Sequence, residues 1–149
     1  MRMENSYALI TGASSGIGLE IAKNLAKKGY NLILTARRTE LLEKLAEEII
    51  SETNVKVDLI TKDLSKYDAP KEIFEFCESK NYQVDLLVNN AGYGIKTSFH
   101  ETSIDVEEDF IRVLGTSVIM LTKLFIPKML KNGKGKIMIV SSVASFAAP

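Results

Sequence analysis

Along the chain, short unbroken apolar runs alternate with stretches in which apolar residues recur every three or four positions. Tyr7-Ala-Leu-Ile10 is apolar throughout and ends in a glycine-rich turn, so it reads as a buried strand. Behind it Ile17, Ile21, Ala22, Leu25 and Ala26 fall at helical spacing, and Gly29 stands where a helix end favours positive φ. Leu32-Ile-Leu34 is a second strand, and Leu41, Leu42, Leu45, Ala46, Ile49 and Ile50 mark the apolar face of a second helix. Val55–Ile60 gives a third strand. Asp68 as N-cap and Pro70 in the first turn predict a helix carrying Ile73, Phe74 and Cys77 inward. Leu86-Leu-Val88 is a fourth strand. A long helix from about Ser103 to Lys131, bent at Pro127, follows it. Gly133 and Gly135 break the chain before a fifth strand, Ile137–Val140. Strands that are apolar on successive residues bury both faces, which implies a parallel sheet with helices on each side. The pattern predicts an α/β fold, a doubly wound parallel sheet.

Composition narrows the picture. The chain of 149 residues suits one domain, and no linker or repeat within 1–149 calls for a second. An apolar content of 46% excludes disorder, while nine glycines and one cysteine exclude collagen-like and disulfide-rich scaffolds. Nineteen basic residues balance nineteen acidic ones, so no overall positive field attracts nucleic acid or an anionic membrane. The polar start, Met1 to Tyr7, does not resemble a signal peptide. The apolar stretch Val118–Ile126 is interrupted by Thr122 and Lys123 and falls short of the roughly 20 residues of a membrane span. The expected compartment is the cytoplasm, in keeping with a lone cysteine that has no disulfide partner in the chain.

Candidate chemistry begins at the first turn, Thr11-Gly-Ala-Ser-Ser-Gly-Ile-Gly18. Placed between a strand and a helix, such a turn brings backbone N–H groups and a helix N-terminus against an anionic group. Gly12 permits the tight turn, Gly16 the close approach of a pyrophosphate, and Gly18 the packing of helix on strand; Ser14 and Ser15 supply hydroxyls. After the second strand, where an acidic residue would bind a ribose 2′-hydroxyl, the chain instead has Thr35-Ala-Arg-Arg38. Two guanidiniums there suit a 2′-phosphate and can stack on adenine, which favours NADP over NAD.

Taken together, these motifs resemble the short-chain dehydrogenase/reductase family. The turn Thr11–Gly18 is similar to that family's cofactor turn, Asp63-Leu64 to its adenine-contacting pair, and Asn89-Asn-Ala-Gly92 to its Asn-Asn-Ala-Gly motif. Gly135–Ser142 is similar to its fifth strand, with the family's catalytic serine falling on Ser142. The resemblance implies a Rossmann-type domain over residues 1–149, with Asn90, Ala91 and Gly92 lining the ribose and Ser142 orienting a substrate oxygen. It implies hydride transfer between NADP(H) and a small-molecule carbonyl or alcohol. A tyrosine and a lysine four residues later move the proton, and an asparagine on the long helix completes a relay. Ligands in such sheets bind at the carboxyl ends of the strands, near the switch between the first and fourth.

The sequence departs from this pattern in two places. The family's Tyr-x-x-x-Lys belongs beyond Ser142, but the only such spacing in residues 1–149 is Tyr67–Lys71, in the wrong part of the fold and with Pro70 inside it. The helix asparagine falls on Leu114. The chain therefore reads as a domain incomplete after its fifth strand and inactive by itself. Its apolar fifth strand and long helix would favour association, and a homo-oligomer is expected of the full-length form. A non-catalytic nucleotide-binding module is the alternative, and a subunit completed by another chain's helix a third. His100 lacks metal-ligand company and reads as a loop residue, and no metal is expected. Cys77 reads as a small core hydrophobe. Lys128, Lys131, Lys134 and Lys136 read as a solvated helix end, and Tyr93 either as a residue lining the nicotinamide or substrate pocket or as a packing residue.

Overall fold

The computed structural model describes residues 6–142 and Phe146; residues 1–5, including most of the polar start read above, lie outside the described residues. Five strands, β1 (Ser6–Thr11), β2 (Asn31–Ala36), β3 (Val57–Thr61), β4 (Gln83–Asn89) and β5 (Lys136–Ile139), form one parallel sheet in the order β3-β2-β1-β4-β5. Helices α1 (Gly16–Lys27), α2 (Thr39–Glu52) and α3 (Ala69–Ser79) provide the first three crossovers. The fourth runs through α4 (Ile104–Ile111), a π-helical turn at Arg112–Thr116 and α5 (Ser117–Lys131). The chain reverses direction across the sheet at β1, which has β2 on one side and β4 on the other.

Because side chains alternate along a strand, each central strand feeds two cores. Leu9, Ile33 and Leu87 face one way and pack with Ile73, Leu121 and Phe125 of α3 and α5. Ile10, Leu34 and Val88 face the other way and pack with Ala22, Ala26, Leu42 and Leu45 of α1 and α2. Phe125 is buried and meets Phe74 edge to face at 5.1 Å, so α3 and α5 lock on the same side of the sheet. Helix α1 ends in a Schellman motif: Gly29, at φ 86°, donates to Ala26 O, and Tyr30 N donates to Leu25 O.

Several expectations need correction. Ile17 and Ile50 lie outside their helices' buried faces, at 61% and 53% exposure. Asp68 stands at the start of α3, but its side chain makes no capping bond; its carbonyl accepts from Glu72 N instead. The long helix continues through Pro127, and its departure from α-helical hydrogen bonding lies at 112–116. Counted as one run, Ile104–Lys131 is 28 residues and is long and apolar enough to cross a membrane by length and composition, so reading only Val118–Ile126 understated it. In this fold Val113, Leu121, Phe125 and Met129 apply one stripe of that run to the sheet. β5 is not covered on both faces: Met138 and Ile139 are 48% and 60% exposed. The lysine cluster is partly paired, with Lys128 on Glu78 and Lys134 on Asp85 at 2.7 Å.

The pairing of Lys134 with Asp85 anchors the base of the sheet. The β1–β4 register passes from Tyr7↔Val84 to Ala8↔Leu86, leaving Asp85 as the extra residue of a bulge. Its buried carboxylate accepts from Ser6 Oγ, Gln83 Nε2 and Lys134 Nζ. Burial alone would raise its pKa, but these donors outweigh that and hold it below the ordinary carboxylate value. At the opposite edge, Asp58 on β3 accepts from Tyr82 Oη at 2.7 Å, placing a charge on a strand whose outer side is unpaired among the described residues. Burial pushes the Cys77 thiol up to about 12, which keeps it protonated and unreactive.

Two outcomes are expected. A carboxyl depressed in the folded state adds stability above its unfolded pKa of about 4, and that stability is lost as pH falls through the lower folded value. Acid unfolding should therefore steepen below about pH 4 in the parent chain and flatten in Asp85→Asn, at a neutral-pH cost of about 2 kcal/mol; an unchanged acid limb would contradict this. Ile119 and Leu130 on α5 and Met138 and Ile139 on the edge strand β5 are exposed apolar side chains. Light scattering at micromolar concentration should show association that Ile119→Lys with Ile139→Lys suppresses; a monodisperse monomeric parent would contradict it.

Candidate cofactor cleft

Thr11 closes β1, and its hydroxyl ties together the two strand ends that flank the cleft. Thr11 Oγ1 accepts from the backbone N–H of Asn90 at 2.9 Å and of Ala91 at 3.0 Å, and donates to Val88 O at 3.3 Å. Asn90 answers from just past β4: its Nδ2 donates to Thr11 O at 2.9 Å and to Gly12 O at 3.2 Å. These bonds hold the glycine turn against the loop after β4. The glycines keep the approach possible. A Cβ on Gly12 would lie 2.7 Å from Ala91 Cα, and φ at Gly12 is 66°. One on Gly18 would lie 2.4 Å from both Asn90 Nδ2 and Gly12 O.

Above this clasp the strand ends open into a cleft of about 850 Å³. Gly12, Ser14, Ser15, Gly16 and Ile17 line it from the first turn, and Arg37 and Arg38 from the loop after β2. Asp63 and Leu64 enter from the end of β3, Asn90, Ala91 and Gly92 from the end of β4, and Ser142 from beyond β5. Of the cofactor-binding and catalytic residues expected from the sequence, only Gly18 stands back from the lining, because it is packed behind the turn on Asn90. Tyr67 and Lys71 lie elsewhere; Tyr67 is exposed and Lys71 pairs with Glu75. His100 sits exposed in a 3-10 turn at Phe99–Glu101, and no group of three metal-ligating side chains occurs among the described residues.

One end of the cleft is built for an anion. The N-terminus of α1 points into it with no side-chain cap and no acidic residue in its first turn, so its N–H groups and dipole remain available. Nothing lies within 4 Å of a Cβ built on Gly16. Arg38 Nη2 donates to Ser14 Oγ at 3.3 Å and to Ser15 Oγ at 3.1 Å, setting a cation beside that terminus. None of the ion pairs among the described residues uses Arg37 or Arg38. The opposite wall is apolar: Tyr93, Phe110, Val113, Leu114 and Ile139 line it. Leu114 reaches to within 2.9 Å of the Cβ position of Gly92, so this glycine also makes room for a side chain from the π-helical turn.

Residues not foreseen as site components are Thr11, Lys62, Phe110 and Val113. Thr11 was visible as the first letter of the turn, but only the fold shows its hydroxyl serving two N–H groups just past the end of β4, 79 and 80 positions away. Lys62, paired with Glu72 at 2.6 Å, brings a further cation to the mouth. Thr11→Val removes the acceptor for two amides while keeping the shape. It is expected to lower stability by about 2 kcal/mol in urea unfolding, since each buried donor left unsatisfied costs about 1–3 kcal/mol; a loss under about 0.5 kcal/mol would show that the clasp is not what holds the turn.

Comparison with known proteins places these features. The short chain dehydrogenase profile matches residues 6–149. A very-long-chain 3-oxoacyl-CoA reductase from Vanderwaltozyma polyspora is 38% identical over 133 residues, covering 87% of this chain and 38% of the relative. Dehydrogenase/reductase SDR family member 7 from Mus musculus is 33% identical, covering 93% of this chain and 42% of its own length. Among solved structures, a short-chain dehydrogenase from Sphingobium yanoikuyae in complex with NADPH superimposes with a TM-score of 0.88 at 30% identity, over 95% of this chain and 56% of that one. L-sorbose reductase from Gluconobacter frateurii, complexed with NADPH and L-sorbose, gives 0.89 at 30% identity, over 97% and 55%. The chain thus spans about half or less of the length of these relatives. With that profile matched over nearly the whole chain and the same fold in solved structures at about 30% identity, this chain belongs to the short-chain dehydrogenase family.

Proposed function

We propose that the cleft binds NADP(H) and that the whole protein transfers hydride between it and a small carbonyl or alcohol substrate. The observation that carries this reading is the uncapped N-terminus of α1 with Arg38 held on Ser14 and Ser15 beside it. A helix N-terminus suits the pyrophosphate. A guanidinium over two hydroxyls suits a second, more peripheral phosphate, such as the 2′-phosphate that distinguishes NADP from NAD. An acidic residue at that position would repel it, and Thr35–Arg38 contains none. NADPH-bound relatives of similar fold support the choice.

In this reading Gly12, Gly16 and Ile17 hold the pyrophosphate, with Gly18 keeping the turn close to the strand. Arg38 recognises the 2′-phosphate with Ser14 and Ser15, and Arg37 stands on the same loop. Asp63 and Leu64 meet the adenine, and Asn90, Ala91 and Gly92 the ribose. The cofactor, when bound, supplies or accepts the hydride. Ser142 orients the substrate oxygen by hydrogen bonding. The proton belongs to a tyrosine activated by a neighbouring lysine, a pair this family places after the fifth strand and that residues 1–149 do not hold at that place. The apolar wall of Tyr93, Phe110, Leu114 and Ile139 suits a substrate with apolar bulk next to its carbonyl. Cytoplasmic residence is part of the same proposal, supported by the free, buried Cys77.

A second reading is favoured by Leu114. It stands where the family carries a relay asparagine, is 43% exposed, and offers no polar side-chain atom. A nucleotide-binding module without turnover would have no use for an asparagine there. Binding and turnover separate the two readings. Titration should show NADPH bound at least tenfold more tightly than NADH, and Arg38→Asp should erase most of that margin, as expected for loss of a charge-assisted contact of about 1.5–3 kcal/mol. Equal affinity for both cofactors in the parent chain would contradict the 2′-phosphate assignment. Tight NADPH binding, with no carbonyl reduction by a protein extended to include an in-frame Tyr-x-x-x-Lys, would favour the binding module.

A further inference from the structure

The helix that carries Phe110 to the cleft is held mainly by bonds within its own segment. Helix α4 reads Ile104-Asp-Val-Glu-Glu-Asp-Phe-Ile111, half of it acidic, and none of its residues is buried. Local signals make it a helix. Ser103 Oγ accepts from Val106 N at 3.4 Å, and Asp105 and Glu107 stand in the first turn, where they suit the helix dipole. The side-chain bonds of residues 94–111 close inside the segment, as from Thr102 Oγ1 to Glu107 and to Phe99 O. The exception is Glu108, which pairs at 3.1 Å with Arg112 of the π-helical turn that follows. Among the described residues, no hydrogen bond or ion pair ties this segment to the sheet or to another helix of the sheet's two faces. One ring contact does cross: Phe110 meets Tyr93, on the loop after β4, edge to face at 5.4 Å.

Support changes abruptly at the π-helical turn. Ile111 is 62% exposed, whereas Val113, two residues on, is 8% exposed and belongs to the core beneath α5. Ser117 is buried and donates from Oγ to Val113 O at 2.8 Å, which fixes the far side of the turn. A segment with local bonds only, joined to a fixed core where α-helical hydrogen bonding is interrupted, can open as a unit without unfolding the rest. We propose that residues 94–111 are a gate over the apolar end of the cleft, hinged at the π-helical turn and latched by Phe110 on Tyr93. The proposal rests on the reading of the cleft as a dinucleotide site and adds the device that closes it. Latched, as in this structure, Phe110 completes the wall formed with Val113, Leu114 and Ile139. Released, it leaves that end of the cleft open to solvent. Tyr93 stays behind, because Ala91, two residues before it, is held by the Thr11 hydroxyl. A dinucleotide in the cleft gives the gate a surface to close on, and closure keeps water from the end where the substrate carbonyl is placed.

The test is backbone amide hydrogen exchange on the parent chain, Phe110→Leu, Tyr93→Leu and the double variant, each with and without saturating NADPH. Without ligand, the gate requires the amides of 106–111 to exchange together, about a hundredfold faster than those of 121–129 in α5. Each single change should speed 106–111 by about fivefold, the worth of one aromatic pair, and leave 121–129 as they are. The double variant should be no faster than either single one, because both changes remove the same contact. Phe110 and Tyr93 stand on different elements, so if one variant fails to fold the other still decides whether the segment opens alone. NADPH should slow 106–111 by about fivefold in the parent and by less in the double variant. Three ligand-free results would each overturn the gate: protection of 106–111 equal to that of 121–129, additive effects of the two changes, or equal acceleration of 121–129. With NADPH, protection at Gly16–Gly18 and none at 106–111 would overturn the gate and leave the cofactor reading standing. No protection at either place would overturn the cofactor reading and the gate with it.

Discussion

One threonine hydroxyl holds the two halves of this sheet in working register. At the end of β1, Thr11 Oγ1 accepts from two successive N–H groups of the Asn90-Ala91 segment, and Asn90 returns two bonds to the carbonyls of Thr11 and Gly12. This is where the chain reverses direction across a doubly wound sheet, so the strand ends diverge and leave a crevice. Without the clasp the loops on either side would have no fixed relation. With it, the N-terminus of α1, the arginine loop and the Asn-Asn-Ala-Gly segment face the same space. The close approach also explains why side chains are excluded at Gly12 and Gly18, where a Cβ would strike the other half of the clasp.

Polarity within the cleft follows from which element supplies each wall. The first turn and the loop after β2 bring backbone donors, hydroxyls and guanidiniums; the π-helical turn and the β5 end bring Val113, Leu114 and Ile139. A π-helical turn places an extra residue in the helical circuit, and such turns are frequent at functional sites. Here it lies at Arg112–Thr116, and Leu114 within it reaches towards Gly92. The opposite end of the sheet is held by different means. The bulge at Asp85 and its tie to Lys134 fix the entry to β5 from below, while Tyr82 and Asp58 secure the β3 side.

Much of this was legible in the sequence because the central strands carry an unambiguous signal. β1, β2 and β4 lie inside the sheet, and their unbroken apolar runs announced it. β5 carries an equally apolar run yet stands half exposed at an edge, since apolar content reports what a residue prefers and not what lies next to it. The site residues were legible where chemistry limits the choice of residue, as at the glycine turn and Asn90. They were invisible where the role arises from a distant contact. Nothing in Arg112-Val-Leu-Gly-Thr116 announces a π-helical turn, and nothing adjacent to Asp85 names Lys134 as its partner. Ile17 shows both sides of this: its helical spacing suggested core, and its place in the motif suggested the cleft, where it lies.

The central claim is that one nucleotide-binding surface is assembled from the glycine turn and the segment after β4. Backbone amide hydrogen exchange, measured on the chain with and without saturating NADPH, tests it most directly. Protection is expected at Gly16–Gly18 and at Asn90–Tyr93 together, with the core amides of β1, β2 and β4 unchanged. Protection of one segment without the other, or of neither, would contradict the account.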